Sequence, residues 1–304
     1  MSRHLSLIIV AALLLTGPLF VVGSAYAQNS GDGTDAVATE TTGEETPVGD
    51  AVFPDYRILS YYGFPGNEFM GILGEHEMAD LLPILQEQGA AYEAVDPETP
   101  LALAYEVIAS VAQADAGEDG NFLTHIDSDI LDDYAEFCLD NDLLMILDLQ
   151  FGRDTVQQEL DWVRPWLELP HVHVALDPEF AIKEGEQPGV DLGTLTAEDI
   201  AYAQRFLVRL AEDKGLPPKI LIVHQFNYYT LPDKELIEPM DGLQFVLEVD
   251  GWGPPDDKRE TYRVLTEDPI EYHGFKLWYR QDDPLMSADD VLALDPKPDI
   301  VIYQ

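Results

Sequence analysis

Short, almost wholly apolar runs alternate along this chain with stretches in which apolar residues recur every three or four positions. Eight runs stand out: Ile58–Gly63, Leu101–Ala109, Leu143–Leu149, His171–Leu176, Lys219–Val223, Leu243–Val249, Phe275–Tyr279 and Asp299–Tyr303. Each has strand length, and unbroken apolarity marks a strand buried on both faces, as in a parallel sheet. Between most of them the spacing predicts helices, among them Met78–Gln88, Ser128–Leu139, Thr155–Leu167 and Thr196–Lys214. Thr196 with Asp199 three residues on has near capping-box chemistry, and Ser128 opens its helix more weakly. Gly89, Gly215 and Pro217-Pro218 punctuate helix ends. Eight strand–helix units predict an α/β fold, a single-domain (β/α)8 barrel of the TIM type. Gln304 follows the eighth run directly, so the expected barrel lacks its last outer helix.

The first 52 residues read differently. Arg3, the apolar stretch Leu5 to Val22 and the small-residue site Ala25-Tyr26-Ala27 form the three parts of a signal peptide over residues 1–27. The competing reading is an uncleaved anchor, since the apolar run approaches spanning length. Cleavage predicts a secreted, extracytoplasmic chain beginning at Gln28, with no membrane attachment afterwards. Residues 28–52 hold only Val and Ala as apolar residues and are expected to be a disordered acidic linker before a barrel domain over residues 53–304. Cys138 is the single cysteine, which leaves no partner for an intrachain disulfide and suits a helix core position.

Charge narrows the partners. With 16 Lys and Arg against 58 Asp and Glu, the formal net charge is −42. Such a chain repels nucleic acid and anionic membrane surfaces. A solvated acidic coat of this kind resembles adaptation to high salt. No calcium loop of the D-x-[DN]-x-[DN]-G form is present, and Asp127, Asp129, Asp132 and Asp133 are placed more simply at the start and face of a helix. Glycine-rich nucleotide motifs and G-x-S-x-G are absent too, leaving dinucleotide, P-loop and nucleophile-elbow chemistry without support.

Within the strands, residues two apart share a face. His171, His173, Ala175, Asp177 and Glu179 therefore align at the fourth run, Asp148 with Gln150 at the third, and Gln244, Val246, Glu248 and Asp250 at the sixth. Barrels of this kind gather their chemistry at the C-terminal ends of several strands. Polar residues in otherwise apolar strands are costly unless paired or hydrated. Crowded carboxylates cannot all ionise, so one keeps its proton beside an ionised neighbour, which is the pairing glycoside hydrolysis uses. Glu179 is the expected acid, modulated by Asp177 or Asp148, with Glu248 or Asp250 as the partner carboxylate. Substrate-binding candidates are Tyr61, Tyr62, Glu106, His224, Gln225, Trp252 and Trp278. Tyr228 and Tyr229 also follow a strand, and flat rings at such ends suit the apolar faces of a glycan. Lys276 points either inward against the acids or outward along the helices.

Several segments carry a resemblance. YYGFPGNEFMGILGE from Tyr61, DPEF after strand four, VHQF, VDGWG, GFKLWY and the closing PDIVIYQ together resemble a family of secreted bacterial barrel proteins to which no firm activity is attached. Asp177-x-Glu179 is similar to the D-x-E of barrel lysozymes, whose early Asp on strand one is replaced here by Tyr61 and Tyr62. The carboxylate set, with this similarity beside it, makes a secreted glycoside hydrolase-like barrel the first reading, without a cofactor and acting on a polysaccharide, a cell-wall glycan or another small substrate. Two other classes fit the residues. One is a divalent-metal hydrolase of phosphodiesterase type with Glu106, Asp148, Asp177, Glu179 and His224 as ligands. The other is a non-catalytic glycan-binding protein of the cell envelope.

Overall fold

A computed structural model describes residues 50–267 and 270–304. Its strands are β1 (Arg57–Gly63), β2 (Leu101–Ala112), β3 (Leu123–His125), β4 (Leu144–Leu149), β5 (Val172–Leu176), β6 (Lys219–Gln225), β7 (Leu243–Val249), β8 (Tyr272–Leu277) and β9 (Ile300–Tyr303). All except β3 are parallel, in the order β1-β9-β8-β7-β6-β5-β4-β2, and a further pairing of β1 with β2 closes the ring. The chain is thus a (β/α)8 barrel, with helices packed on the outside between the strands. Those helices are α1 (Met78–Val95), α2 (Ser128–Asp140), α3 (Val156–Leu167), α4 (Ala197–Lys214), α5 (Pro255–Leu265) and a short α6 (Ala288–Leu292). The signal-peptide reading and all of the linker before Asp50 lie outside the described residues. Among the described residues no helix is long and apolar enough to cross a membrane.

Local chemistry accounts for most boundaries. Capping boxes start α3 (Thr155 with Gln158), α4 (Thr196 with Asp199) and α6 (Ser287 with Asp290), and Gly215 in the left-handed conformation stops α4. Three details depart from the sequence reading. Asp127, not Ser128, caps α2, its side chain accepting from the Asp129 amide. Gly89 does not end α1 but lies inside it, where a Cβ would meet Leu101 and Leu103 at 3.4 Å, so its bare backbone lets the helix rest on β2. And β2 runs on to Ala112, because β3 folds back antiparallel on its end.

Two apolar layers flank the strands. The outer one, with Leu59, Tyr105, Leu147, Val174, Leu221 and Val301, meets the helices. The inner one fills the lower barrel with Ile58, Ala104, Ile146, Ala175, Ile222, Val246 and Ile302. Each buried Ile or Val adds roughly 1.5–3 kcal/mol. At the floor, Val52 and Phe53 plug the barrel. Gln244 holds them there, its Oε1 accepting from both backbone amides at 2.9 and 3.3 Å and its Nε2 donating to the Phe53 carbonyl at 2.7 Å. Towards the C-terminal ends of the same strands, the inward positions turn from aliphatic to ionisable. That switch within each strand creates the site.

Candidate active site

His224, near the end of β6, stands in the centre of this upper layer. Its Nδ1 lies 2.6 Å from Glu248 Oε2 on β7, and its Nε2 lies 3.0 Å from Glu106 Oε1 on β2. Asp148 Oδ1 on β4 is 3.6 Å from the same Nε2, while Tyr62 on β1 donates its hydroxyl to Asp148 Oδ2 at 2.8 Å. Lys276 on β8 pairs with Asp250 Oδ1 at 3.2 Å, and its Nζ sits 3.8 Å from the centre of the Tyr62 ring. Six strands thus supply one connected network. Room for it comes from Gly274, opposite Glu248 in the β7–β8 register, where a Cβ would fall 2.7 Å from Glu248 Cγ.

Nearer the mouth, oxygens of Asp177, Glu179 and Asp250 lie within 4.8 Å of one another. Glu179 is not on a strand. It belongs to the single-turn segment Pro178–Phe180 that follows β5, and its carbonyl accepts from the Gly193 amide at 2.7 Å. Gly193 is required there, since a Cβ would come 2.4 Å from the Ala181 nitrogen. The loop returning towards α4 therefore clamps the turn and aims Glu179 at Asp250.

Six carboxyl groups face two cations in this space, and burial sets the protonation pattern. Burial raises Glu179 to about 8, with the negative Asp250 adding to the rise and Lys276 opposing it. Burial also raises Asp148, to about 6, against the pull of His224. Asp177 goes well up for the same reason, with Glu179 and Asp148 reinforcing it. Asp250 is raised by burial but opposed by its Lys276 partner. His224 goes the other way from a buried histidine: burial lowers it, yet the bonds to Glu106 and Glu248 outweigh that and hold it well above its ordinary value. With an acceptor on each ring nitrogen it is an imidazolium. Lys276 is likewise held charged by Asp250 and Glu248 against burial.

The structure brings together Glu106, Asp148, Asp177, Glu179, His224, Glu248, Asp250 and Tyr62. It removes two candidates. Tyr61 points outward, its ring packed edge-on against Tyr303 at 6.3 Å and its hydroxyl accepting from Tyr279 at 3.4 Å. Gln225 also faces outward, accepting from Lys234 Nζ and donating to the Asn227 carbonyl. Both corrections have one cause: Tyr62 and His224 occupy the inward positions, so their immediate neighbours must turn away. His171 leaves the shared face too, donating from Nε2 to the Ala135 carbonyl of α2. For the metal reading, the five proposed ligands do not form one set. They fall into separate groups, and His224 already meets a carboxylate at each nitrogen. Lys276, left open between two orientations, points inward.

Trp252 and Trp278 line one side of the mouth. Phe226, Trp252 and Trp278 form a continuous run with ring centres 5.4 and 5.6 Å apart. Asp282 fixes the two loops that carry the tryptophans: its carboxylate accepts from the Gly253 and Trp278 amides, each at 2.9 Å, and pairs with Lys258 at 3.1 Å. Sequence spacing gave no sign of Asp282, whose partners lie 29 and 4 residues away.

No family model matches the chain, and comparison with curated proteins found no match. The resemblance to a secreted bacterial family is therefore carried by its short segments alone. Among solved structures, the mannanase Man26 of Bacillus subtilis is 11% identical, covering 82% of this chain and 80% of that one, with a TM-score of 0.43. A 2,3-dimethylmalate lyase of the PEP mutase/isocitrate lyase superfamily is 12% identical, covering 83% and 77%, with a TM-score of 0.42. GH26C from a Muricauda species is 11% identical, covering 69% and 72%, with a TM-score of 0.35.

Proposed function

We propose that the protein is an exported glycoside hydrolase that cleaves a glycan with Glu179 as acid and base and Asp250 as nucleophile. The observation that carries this reading is the contrast between two neighbouring carboxyl groups. Glu179 lacks a cation of its own and keeps its proton into the neutral range, while Asp250 is paired with Lys276 and ionises first. Their oxygens lie within 4.8 Å of each other, which falls on the side of retaining enzymes, at about 5–5.5 Å, and well short of the roughly 6.5–9.5 Å of inverting ones.

The residues then act in sequence. Glu179 gives its proton to the glycosidic oxygen as the bond from that oxygen to the anomeric carbon breaks. The Asp250 carboxylate forms a bond to the same carbon from the other face. Glu179, now ionised, takes a proton from water as the water oxygen displaces Asp250, which regenerates both groups. Lys276 holds Asp250 in place and ionised. His224, fixed between Glu106 and Glu248, keeps two buried carboxylates from repelling the nucleophile's charge. Asp177, raised by burial in the same direction, is pushed towards its neutral form and so adds less negative charge beside Glu179.

Replacing Glu179 by Gln preserves size and removes the proton cycle. Turnover is expected to fall by at least 10³-fold, with the melting temperature unchanged or raised. On an activated aryl glycoside the product released by the wild type retains its anomeric configuration, read by proton NMR. Inversion, or full activity of the Gln variant, refutes the assignment. Glycan binding with no turnover by the wild type leaves a non-catalytic binding protein instead.

A further inference from the structure

We infer that the aromatic run beside the acids binds an uncharged polysaccharide chain, making the protein selective for neutral polymers over acidic ones. This deepens the hydrolase reading and rests on it for the bond cleaved, though not for binding. Phe226, Trp252 and Trp278 present linked rings from three successive barrel loops, those after β6, β7 and β8. The loop that carries Phe226 continues through Tyr228 and Tyr229, which are 47% and 71% exposed. Those two line a hollow of about 540 Å³ with Leu231, Pro232, Lys234 and Glu235, within the roughly 300–1,000 Å³ of ligand clefts. Trp252 and the two tyrosines are exposed and Phe226 and Trp278 half-buried, so several rings, rather than one ring over the acids, offer contact beyond a single sugar.

A second observation points to a ligand there. The Trp278 indole nitrogen is shielded from solvent, yet meets no hydrogen-bond acceptor among the described residues. A buried donor left unpaired costs roughly 1–3 kcal/mol. The donor is covered in the unliganded protein, so a small turn of the ring on binding would present it to a sugar hydroxyl lying along the run. Charge then selects the class of glycan. The mouth holds Asp177, Glu179 and Asp250, and the nearby cations are all engaged: Lys276 with Asp250, Lys258 with Asp282, and Lys234 with the Leu265 carbonyl. A polyuronate would bring further carboxylates to a site with no cation to receive them, in a protein of net charge −42.

The test is binding by the full-length Glu179→Gln variant in affinity electrophoresis, using galactomannan, mixed-linkage β-glucan and arabinoxylan against polygalacturonate. Retardation is expected with at least one neutral polymer and not with polygalacturonate. Adding Trp252→Ala is expected to weaken that binding at least tenfold, and Tyr229→Ala, at a largely exposed ring, severalfold, both with unchanged melting temperature. Trp278→Phe keeps the ring and loses the donor, so a smaller loss is expected. The inference is overturned if polygalacturonate binds as well as the neutral glycans, if none of the three neutral polymers binds, or if both ring removals leave affinity unchanged. Turnover surviving in the Glu179→Gln variant would sink the catalytic assignment without touching any of these binding results.

Discussion

At the scale of single residues, the site works by giving neighbouring carboxyl groups unequal partners. Asp250 has Lys276, and Glu106 and Glu248 share His224, while Glu179 and its neighbour Asp177 pair with no cation among the described residues, so a proton is kept on Glu179. The pH consequence has a definite sign. Glu179 titrates near 8 in the folded protein against an ordinary 4.5. In the proposed mechanism the protonated acid is the reactive form, so kcat/KM is expected to drop about tenfold per pH unit above roughly 8. Across the window from about 4.5 to 8 the folded chain keeps a proton that the unfolded chain releases. Folded stability contributed by this group therefore falls as pH rises through that window. Melting curves from pH 5 to 8 should slope less steeply downward in Glu179→Gln than in the wild type; parallel slopes would contradict the raised titration. Much of this set was readable from sequence, because period-two alternation selects Glu248 with Asp250 and separates them from Val249. The same rule, applied to adjacent pairs, excludes Tyr61 once Tyr62 is inward and Gln225 once His224 is. What alternation cannot do is orient Glu179, which lies past the strand in a turn fixed by Gly193, fourteen positions on.

Among the elements, β8 shows how a strand without an acid still shapes an acidic site. Its inward positions are Gly274 and Lys276: one leaves space for Glu248, the other neutralises Asp250. Gly274→Ala would put a methyl group 2.7 Å from Glu248 Cγ and 2.9 Å from Ile300 Cγ2. Overpacking of that kind costs about 1–3 kcal/mol. Urea unfolding should show a lower midpoint with the slope unchanged, and activity should fall with it, since Glu248 must move and its bond to His224 with it. A variant with native stability and full activity would mean the strands part easily at this point. The glycine looks unremarkable in sequence, as does Asp282, because each matters only through a strand or loop that the fold brings alongside. The eight barrel strands and the helix starts were legible from local pattern and capping chemistry. The added strand β3 was not, since three residues without clear alternation carry no period to read.

Over the whole molecule, a net charge of −42 sets the solution behaviour. Exposed acids repel one another over a distance fixed by salt, about 30 Å at 0.01 M and about 3 Å at 1 M. The buried network, closed by its own His and Lys, is screened far less. Raising sodium chloride from 0.01 to 1 M should therefore raise the melting temperature, by about 2–4 °C for each kcal/mol of repulsion removed. A flat or falling trend would mean that the surface acids are already offset by their neighbours. Acidity of this magnitude was plain from composition. Which few acids are catalytic candidates was not, because composition cannot separate a coat from a cluster.

The plug at the barrel floor carries one more implication, a matter of direction. Val52 and Phe53 are pinned by Gln244 at the end of the barrel opposite Glu179 and the tryptophans. A tag or bead joined directly at Asp50 is therefore attached at the blind end. A barrel held by that residue turns its mouth away from the support, towards whatever long polymer drifts past.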